Sequence, residues 1–114
     1  MSERELVYDI RLALSRGVVR LMRNNVGALQ DRTGKYVTYG LGVGTADLIG
    51  WRSFVIQPED VGETIAVFVG IEVKSERGVL TAEQIAFIET VLSSGGVAGV
   101  VRTVDEAKKL LGID

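Results

Sequence analysis

The stretch from Thr64 to Lys74 constrains the fold of this chain more than any other. It reads Thr-Ile-Ala-Val-Phe-Val-Gly-Ile-Glu-Val-Lys, and long runs rich in β-branched residues form central strands that are buried on both faces. The two-residue period of a strand puts Glu72 and Lys74 on one face. Charges at the end of an apolar strand are costly to bury unless something binds them. The pair is therefore the first candidate site, although a Glu-x-Lys triplet also marks a strand that simply surfaces.

Helices are predicted both before and after this strand in the sequence. Ser2 caps an amphipathic helix that ends by Gly17, and Thr81 and Thr103 cap two later helices. The later helices end at Gly95-Gly96 and at Gly112.

Short apolar runs predict the other strands, and the polar segment Ala28–Lys35 is interpreted as a loop. A strand, a helix and a strand follow one another near the end of the chain, which predicts a parallel pair with a right-handed crossover. The order of elements indicates an α/β fold, and 114 residues fit one domain, 1–114. The predicted strands are Val18–Arg23, Tyr36–Tyr39, Asp47–Trp51 resuming at Phe54–Ile56, Thr64–Lys74 and Val97–Val101.

The absence of cysteine and histidine excludes several classes of site. Disulfide frameworks and thiolate zinc sites are impossible, and so are Ser-His-Asp triads and histidine-based zinc sites. Any catalysis must rely on carboxylates, lysines and hydroxyls.

The charge distribution is uneven. A net charge of −2 argues mildly against tight nonspecific binding of nucleic acid, yet six of the thirteen cations lie between Arg11 and Lys35, beside one acid, Asp31. No apolar run approaches the ~20 residues of a membrane span, and the first residues do not read as a signal peptide. We therefore expect a cytoplasmic protein with no membrane contact.

Asp47 is the second candidate site residue. It follows the glycine-rich passage Gly40–Ala46 and begins an apolar strand. Pairing of that strand with the central one would set the carboxylates of Asp47 and Glu72 side by side, an arrangement that suits Mg²⁺. The carbonyl of Val73 is a candidate further ligand, and Lys74 is placed to orient or deprotonate water or to neutralise a phosphate. Taken alone, an aspartate at this place would by default be a helix-capping or turn-capping residue.

Asp47 together with Glu72-Val73-Lys74 resembles the PD-(D/E)XK nuclease pattern. The residue before the aspartate is Ala46, whereas the family pattern has proline. The pattern tolerates this difference, because the proline contributes backbone geometry and no chemistry. The order and spacing of four segments resemble the VRR-NUC (virus-type replication–repair nuclease) family, from the first helix to about Arg102. These segments are Arg23–Gly27, Gly42–Gly50, Ile71–Lys74, and Thr81–Gln84 with Gly95-Gly96.

The resemblance implies a fold and a set of roles. The fold is a restriction-endonuclease-like core, a mixed central sheet flanked by helices. Asp47 and Glu72 match the metal-binding acids, Lys74 the lysine, and Gln84 a glutamine that accompanies them. A glutamate of the first helix also belongs to the pattern, for which Glu3 fits best and Glu5 competes.

The implied activity is that of a Mg²⁺- or Mn²⁺-dependent DNA endonuclease. Stand-alone members are typically phage-encoded and would act in the host cytoplasm. The resemblance further suggests a homodimer that cuts branched DNA such as four-way (Holliday) junctions. The alternatives are a nuclease for flaps or for DNA of any structure, and a catalytically silent binding or assembly module of the same fold.

Several residues outside the acidic site are candidate DNA contacts. Gly42 and Gly44 are not part of a phosphate-binding P-loop; they either let backbone approach nucleic acid closely or form a tight turn. The side-chain candidates, each of which is otherwise a solvated surface residue, are Arg23, Asn24, Asn25, Lys35, Tyr36 and Arg77.

Overall fold

A computed structural model describes residues 2–114, which form three α-helices and six strands in two compact units, residues 2–52 and 53–114. No helix in this part of the chain has the length and apolar character that crossing a bilayer requires. The elements are α1 (Glu3–Leu14), β1 (Val19–Arg23), β2 (Gly27–Gln30), β3 (Tyr36–Tyr39), β4 (Leu48–Arg52), a 3₁₀ turn (Pro58–Asp60), β5 (Val69–Val73), α2 (Ala82–Ser93), β6 (Val97–Val101) and α3 (Val104–Leu111).

The first unit joins α1 to an antiparallel pair of strands, β1 and β4. The Ser2 hydroxyl caps α1 by accepting a hydrogen bond from the Glu5 backbone. Beyond the helix, the Ser15 hydroxyl accepts a hydrogen bond of 2.9 Å from the backbone N–H of Leu21 in β1. Gly50 of β4 lies opposite Leu21, where a Cβ atom would collide with the carbonyl oxygen of Arg20. Close approach of the two strands therefore requires glycine at position 50.

The first unit also contains a hairpin, β2–β3, where the sequence predicted a loop. Gln30 pairs with Tyr36, and the Asp31 carboxylate closes the turn by accepting hydrogen bonds from the Thr33 backbone, the Thr33 hydroxyl and the Lys35 backbone. The prediction of a loop over Ala28–Lys35 was wrong for its first half. Gly-Ala-Leu-Gln has weak strand propensity of its own, so the turn and the pairing with β3 make it a strand.

The hydrogen bonds of the turn favour the ionised form of the Asp31 carboxylate. The Thr33 hydroxyl, followed by the backbone N–H groups of Thr33 and Lys35, holds the pKa of Asp31 below its ordinary range. The charged form consequently stabilises the turn at neutral pH. That contribution is lost as the pH falls through the folded-state pKa.

The second unit contains the parallel pair that the sequence predicted. β5 and β6 are paired from Val69↔Val97 to Val73↔Val101, with α2 between them in the chain. A Cβ atom on Gly70 would contact Phe87 of α2, and one on Gly99 would contact Leu110 of α3. Gly70 and Gly99 belong to opposite faces of the pair, so α2 and α3 cover opposite faces. The buried core of this unit consists of Val91, Ala98 and Val101.

The α/β fold class is confirmed, with both parallel and antiparallel strand pairs. Three details of the strand predictions were wrong. The strand after Asp47, β4, pairs with β1 rather than with β5; β5 is a partly exposed member of a two-stranded pair rather than a central buried strand; and two strands are shorter than predicted. β5 begins at Val69 rather than Thr64, because its ladder with β6 begins at Val69↔Val97. Phe54–Ile56 does not extend β4. Both segments have strand-like sequences, and a strand requires a hydrogen-bonded neighbour as well as propensity.

We expect Gly50→Ala to lower the free energy of unfolding by about 2 kcal/mol or more, because the added methyl collides with backbone that cannot move aside. Urea denaturation measures this. The matched control is Gly70→Ala, whose Cβ atom would lie at an ordinary contact distance of 3.4 Å from Phe87. Equal effects of the two substitutions would contradict the assigned close approach of β1 and β4.

Candidate functional site

Glu72 is the centre of a small polar site in the second unit. Its Oε1 atom accepts a hydrogen bond of 2.9 Å from Nε2 of Gln84, and Nζ of Lys74 lies 3.6 Å from the same oxygen. The Glu72 side chain is 32% exposed, so the carboxylate is accessible although it is held. The structure thus brings together three residues that the sequence had singled out, Glu72, Lys74 and Gln84.

The start of α2 determines where Gln84 can reach. The Thr81 hydroxyl accepts a hydrogen bond of 3.1 Å from the Gln84 backbone, and Oε1 of Gln84 accepts one of 2.9 Å from the Thr81 backbone. This is a capping box, in which both residues satisfy free N–H groups of the first turn. With Oε1 committed to the cap, Nε2 of the same amide points its protons to Glu72.

Lys74 is packed by the loop that follows β5. Its side chain is only 19% exposed, and a Cβ atom on Gly78 would lie 3.2 Å from the Lys74 Cβ and Cδ atoms. The loop is tied down by Arg102, whose guanidinium donates to the carbonyl oxygens of Ser75 and Gly78. The sequence analysis missed Arg102. The signal was available, since a residue just after β6 must neighbour one just after β5 in a parallel pair.

A pocket of about 280 Å³ in the second unit is lined in part by Glu72. Glu83, Gln84, Phe87 and Ile88 of α2 also line it, and most of its lining surface is apolar. Phe87 is itself packed edge-to-face against Phe68, with ring centroids 6.4 Å apart. The acidic site is therefore adjacent to open space rather than sealed in the core.

Asp47 immediately precedes β4 in the first unit, and Asn24 fixes the backbone around it. The Asn24 N–H donates to the Asp47 carbonyl at 2.9 Å. The Asn24 amide donates to Thr45 Oγ1 and the Ala46 carbonyl, both at 2.8 Å, and accepts from the Leu41 N–H at 3.0 Å. Asn24 thus holds both ends of the glycine-rich loop that leads to Asp47, whose own side chain is exposed.

This arrangement corrects the sequence interpretation of Asn24 as a DNA contact. The residue is only 8% exposed, and its amide is committed to the loop. Gly42 and Gly44 have φ angles of +113° and +88°, which favours the tight turn among the two uses considered for them. The other candidate contacts are exposed and remain predictions: Arg23, Asn25, Lys35, Tyr36 and Arg77.

The remaining predicted site residues are Glu3, Glu5 and Val73. Glu3 and Glu5 both lie in the first turn of α1 and are exposed, so Glu3 is still the choice with Glu5 as its alternative. Val73 ends β5 opposite Val101. Over residues 2–114, no group of three or more acidic side chains is arranged to hold a metal ion.

We expect Asn24→Ala to destabilise the first unit by about 2 kcal/mol, because it leaves several loop groups without their buried partner. The exchange of the Leu41 amide proton, followed by NMR, should also become faster. Asn25→Ala is the control, since Asn25 is exposed and next in the chain. If the two variants behave alike, Asn24 does not hold the loop.

Comparison with known proteins assigns the chain to a family. The family model of the VRR-NUC domain matches residues 6–105, a range that includes Asn24, Asp47, Glu72, Lys74 and Gln84. Neither a search of the curated proteins nor a search of the solved structures finds a match. Because the matched range covers most of the 114 residues, the chain belongs to the VRR-NUC domain family, a family of PD-(D/E)XK-like nucleases.

Proposed function

We propose that this nuclease is a Mg²⁺- or Mn²⁺-dependent endonuclease that hydrolyses phosphodiester bonds in branched DNA, four-way junctions in particular. The observation that carries the proposal is the position of Glu72 in a VRR-NUC chain, hydrogen-bonded to Gln84 and ion-paired with Lys74. It keeps an accessible carboxylate and an ammonium group together at the end of a strand.

The chemistry of the donor groups fits Mg²⁺. This ion is typically held by one or two carboxylates, with water and phosphate oxygens completing an octahedron, so a cluster of three acids is not required. Glu72 offers Oε2, since Gln84 and Lys74 contact Oε1. The family pattern, rather than any measured distance, adds Asp47 as the second carboxylate and the Val73 carbonyl as a further oxygen. Asn24 is then a positioning residue for Asp47, because it holds the loop before it.

The bound metal would supply a Lewis acid that activates water and neutralises the charge developing on the scissile phosphate. Gln84 holds Glu72 in one orientation. Lys74 places a positive charge beside Glu72, where it can orient the attacking water or donate to a phosphate oxygen. Packing beneath Gly78 restricts the lysine stem, so this charge is positioned before substrate arrives.

The branched substrate and the homodimer belong together in this proposal. Two sites related by a two-fold axis suit a junction, in which paired strands must be nicked. Cutting flaps or plain duplex is the alternative for the same chemistry. A silent binding module is disfavoured, because it has no need for a charged pair that is half removed from water.

Substitutions at the acidic site should abolish cleavage without unfolding the protein. We expect Glu72→Gln, Lys74→Ala and Asp47→Asn each to lower kcat/KM about 100-fold or more, as removal of a metal ligand or a charged catalytic group generally does. Single-turnover cleavage of labelled DNA measures this. Glu89→Gln is the control, since it removes an exposed carboxylate on the same helix as Gln84. Full activity of the Glu72→Gln protein would overturn the assigned site.

The choice of substrate requires a panel of DNA structures. A four-way junction, a flap and a matched duplex are incubated with Mg²⁺, with Mn²⁺ and with EDTA. We expect cleavage of the junction in either metal and none in EDTA. Preferential cutting of flaps or duplex would keep the site and reject the branched substrate. Cleavage that persists in EDTA would reject metal dependence.

A further inference from the structure

The two units of the chain carry opposite charge. Residues 1–52 contain eight Lys and Arg against five Asp and Glu, a net charge of +3, whereas residues 53–114 contain five against ten, a net charge of −5. Phosphates are attracted to the first unit and repelled by the second. Net charge therefore favours the first unit as the main source of long-range attraction for a polyanion.

Within the first unit, the β2–β3 hairpin is a highly exposed element that carries cations. Every residue of the turn and of β3 is exposed, as are three of the four residues of β2. Tyr36 retains 70% of its surface. Arg32 and Lys35 lie in the turn, and over residues 2–114 neither one forms an ion pair with an acid of the chain.

The carboxylate of Asp31, the acid of the turn, accepts hydrogen bonds from within the turn. Asp31 uses one carboxylate oxygen to accept three hydrogen bonds, from the Thr33 N–H at 2.8 Å, the Thr33 hydroxyl at 2.6 Å and the Lys35 N–H at 3.0 Å. These bonds fix the backbone on either side of Arg32. The two cations are consequently presented on a preorganised turn rather than on a flexible loop.

The hairpin has one polar face. Cross-strand partners share a face, so Ala28 with Thr38 and Gln30 with Tyr36 lie together. Leu29 and Val37 lie on the other face. A two-stranded ribbon is narrow enough to enter the major groove of duplex DNA, and the face of Gln30 and Tyr36 offers hydrogen-bonding groups to it.

We infer that the β2–β3 hairpin is a DNA-binding arm, in which Arg32 and Lys35 contact the phosphates of a duplex and the Gln30–Tyr36 face is turned to its groove. This inference rests on the proposed function, since it concerns the same DNA. It adds Arg32 to the candidate contacts and assigns Lys35 and Tyr36 to one element.

The test measures binding rather than cleavage. The affinity of the Glu72→Gln protein for a fluorescent junction is followed by anisotropy over a range of salt concentrations. Adding Arg32→Ala and Lys35→Ala should weaken binding about tenfold or more at low salt and reduce the slope of log K against log salt by about 1.8, the value for two lost phosphate contacts. The control pair Lys108→Ala and Lys109→Ala removes the same charge from exposed positions of α3 and should change the slope little.

Substitution of the acidic residue Asp31 distinguishes the effect of charge on DNA binding from the effect of the turn structure. Asp31→Asn keeps an oxygen that can accept the three hydrogen bonds of the turn but removes the negative charge from the turn that carries the cations. We expect it to tighten DNA binding, whereas Asp31→Ala also loses the turn and should not match it. Weaker binding by a folded Asp31→Asn protein would overturn the inference.

Further results of these measurements distinguish failure of the inference from failure of the proposed function. An unchanged salt slope in a folded Arg32→Ala/Lys35→Ala protein overturns the inference, while cleavage by the unsubstituted chain would leave the proposed function intact. A change in molecular mass by light scattering, with the slope unchanged, would identify the hairpin as a protein contact instead and overturn it. If the unsubstituted chain cuts no DNA but the slope still falls by about 1.8, the proposed function fails and the inference stands.

Discussion

The arrangement of the candidate site in the second unit depends on the hydrogen bond between Gln84 and Glu72. This bond joins the capped start of α2 to the strand β5, and β5 is in turn aligned by its parallel ladder with β6. A carboxylate beside an apolar strand would otherwise be costly to desolvate. The neighbouring ammonium of Lys74 and the amide of Gln84 offset this cost while leaving Glu72 accessible. The fold therefore keeps a carboxylate in place without burying it.

The sequence predicted the features that depend on short-range patterns. Helix caps at Ser2, Thr81 and Thr103 were all found, because a cap requires only a side chain and the N–H groups of the next turn. Alternation along β5 placed Glu72 and Lys74 on one face, and the structure brings them together. The parallel pairing of β5 and β6 followed from the strand–helix–strand order.

The features that the sequence did not predict depend on partners far along the chain. Asn24 resembled a surface contact, but its amide bonds to residues about twenty positions later. β2 resembled a loop, because its weak strand propensity is outweighed by pairing with β3. Thr64–Phe68 has the composition of a strand without the ladder. Local composition indicates which secondary structures a segment can adopt. Its hydrogen-bond partners elsewhere in the chain determine which one it forms.

The capping box of α2 determines how the contact between Gln84 and Glu72 is lost on warming. One amide, that of Gln84, serves both the helix cap and Glu72. Fraying of a terminal helical turn requires far less free energy than unfolding the domain. Each such opening withdraws the amide and releases the carboxylate while the strands and the rest of α2 persist. On warming, the contact between Gln84 and Glu72 should thus be lost in a separate, earlier step than the fold, so local opening at this contact and unfolding of the domain are different events in this protein.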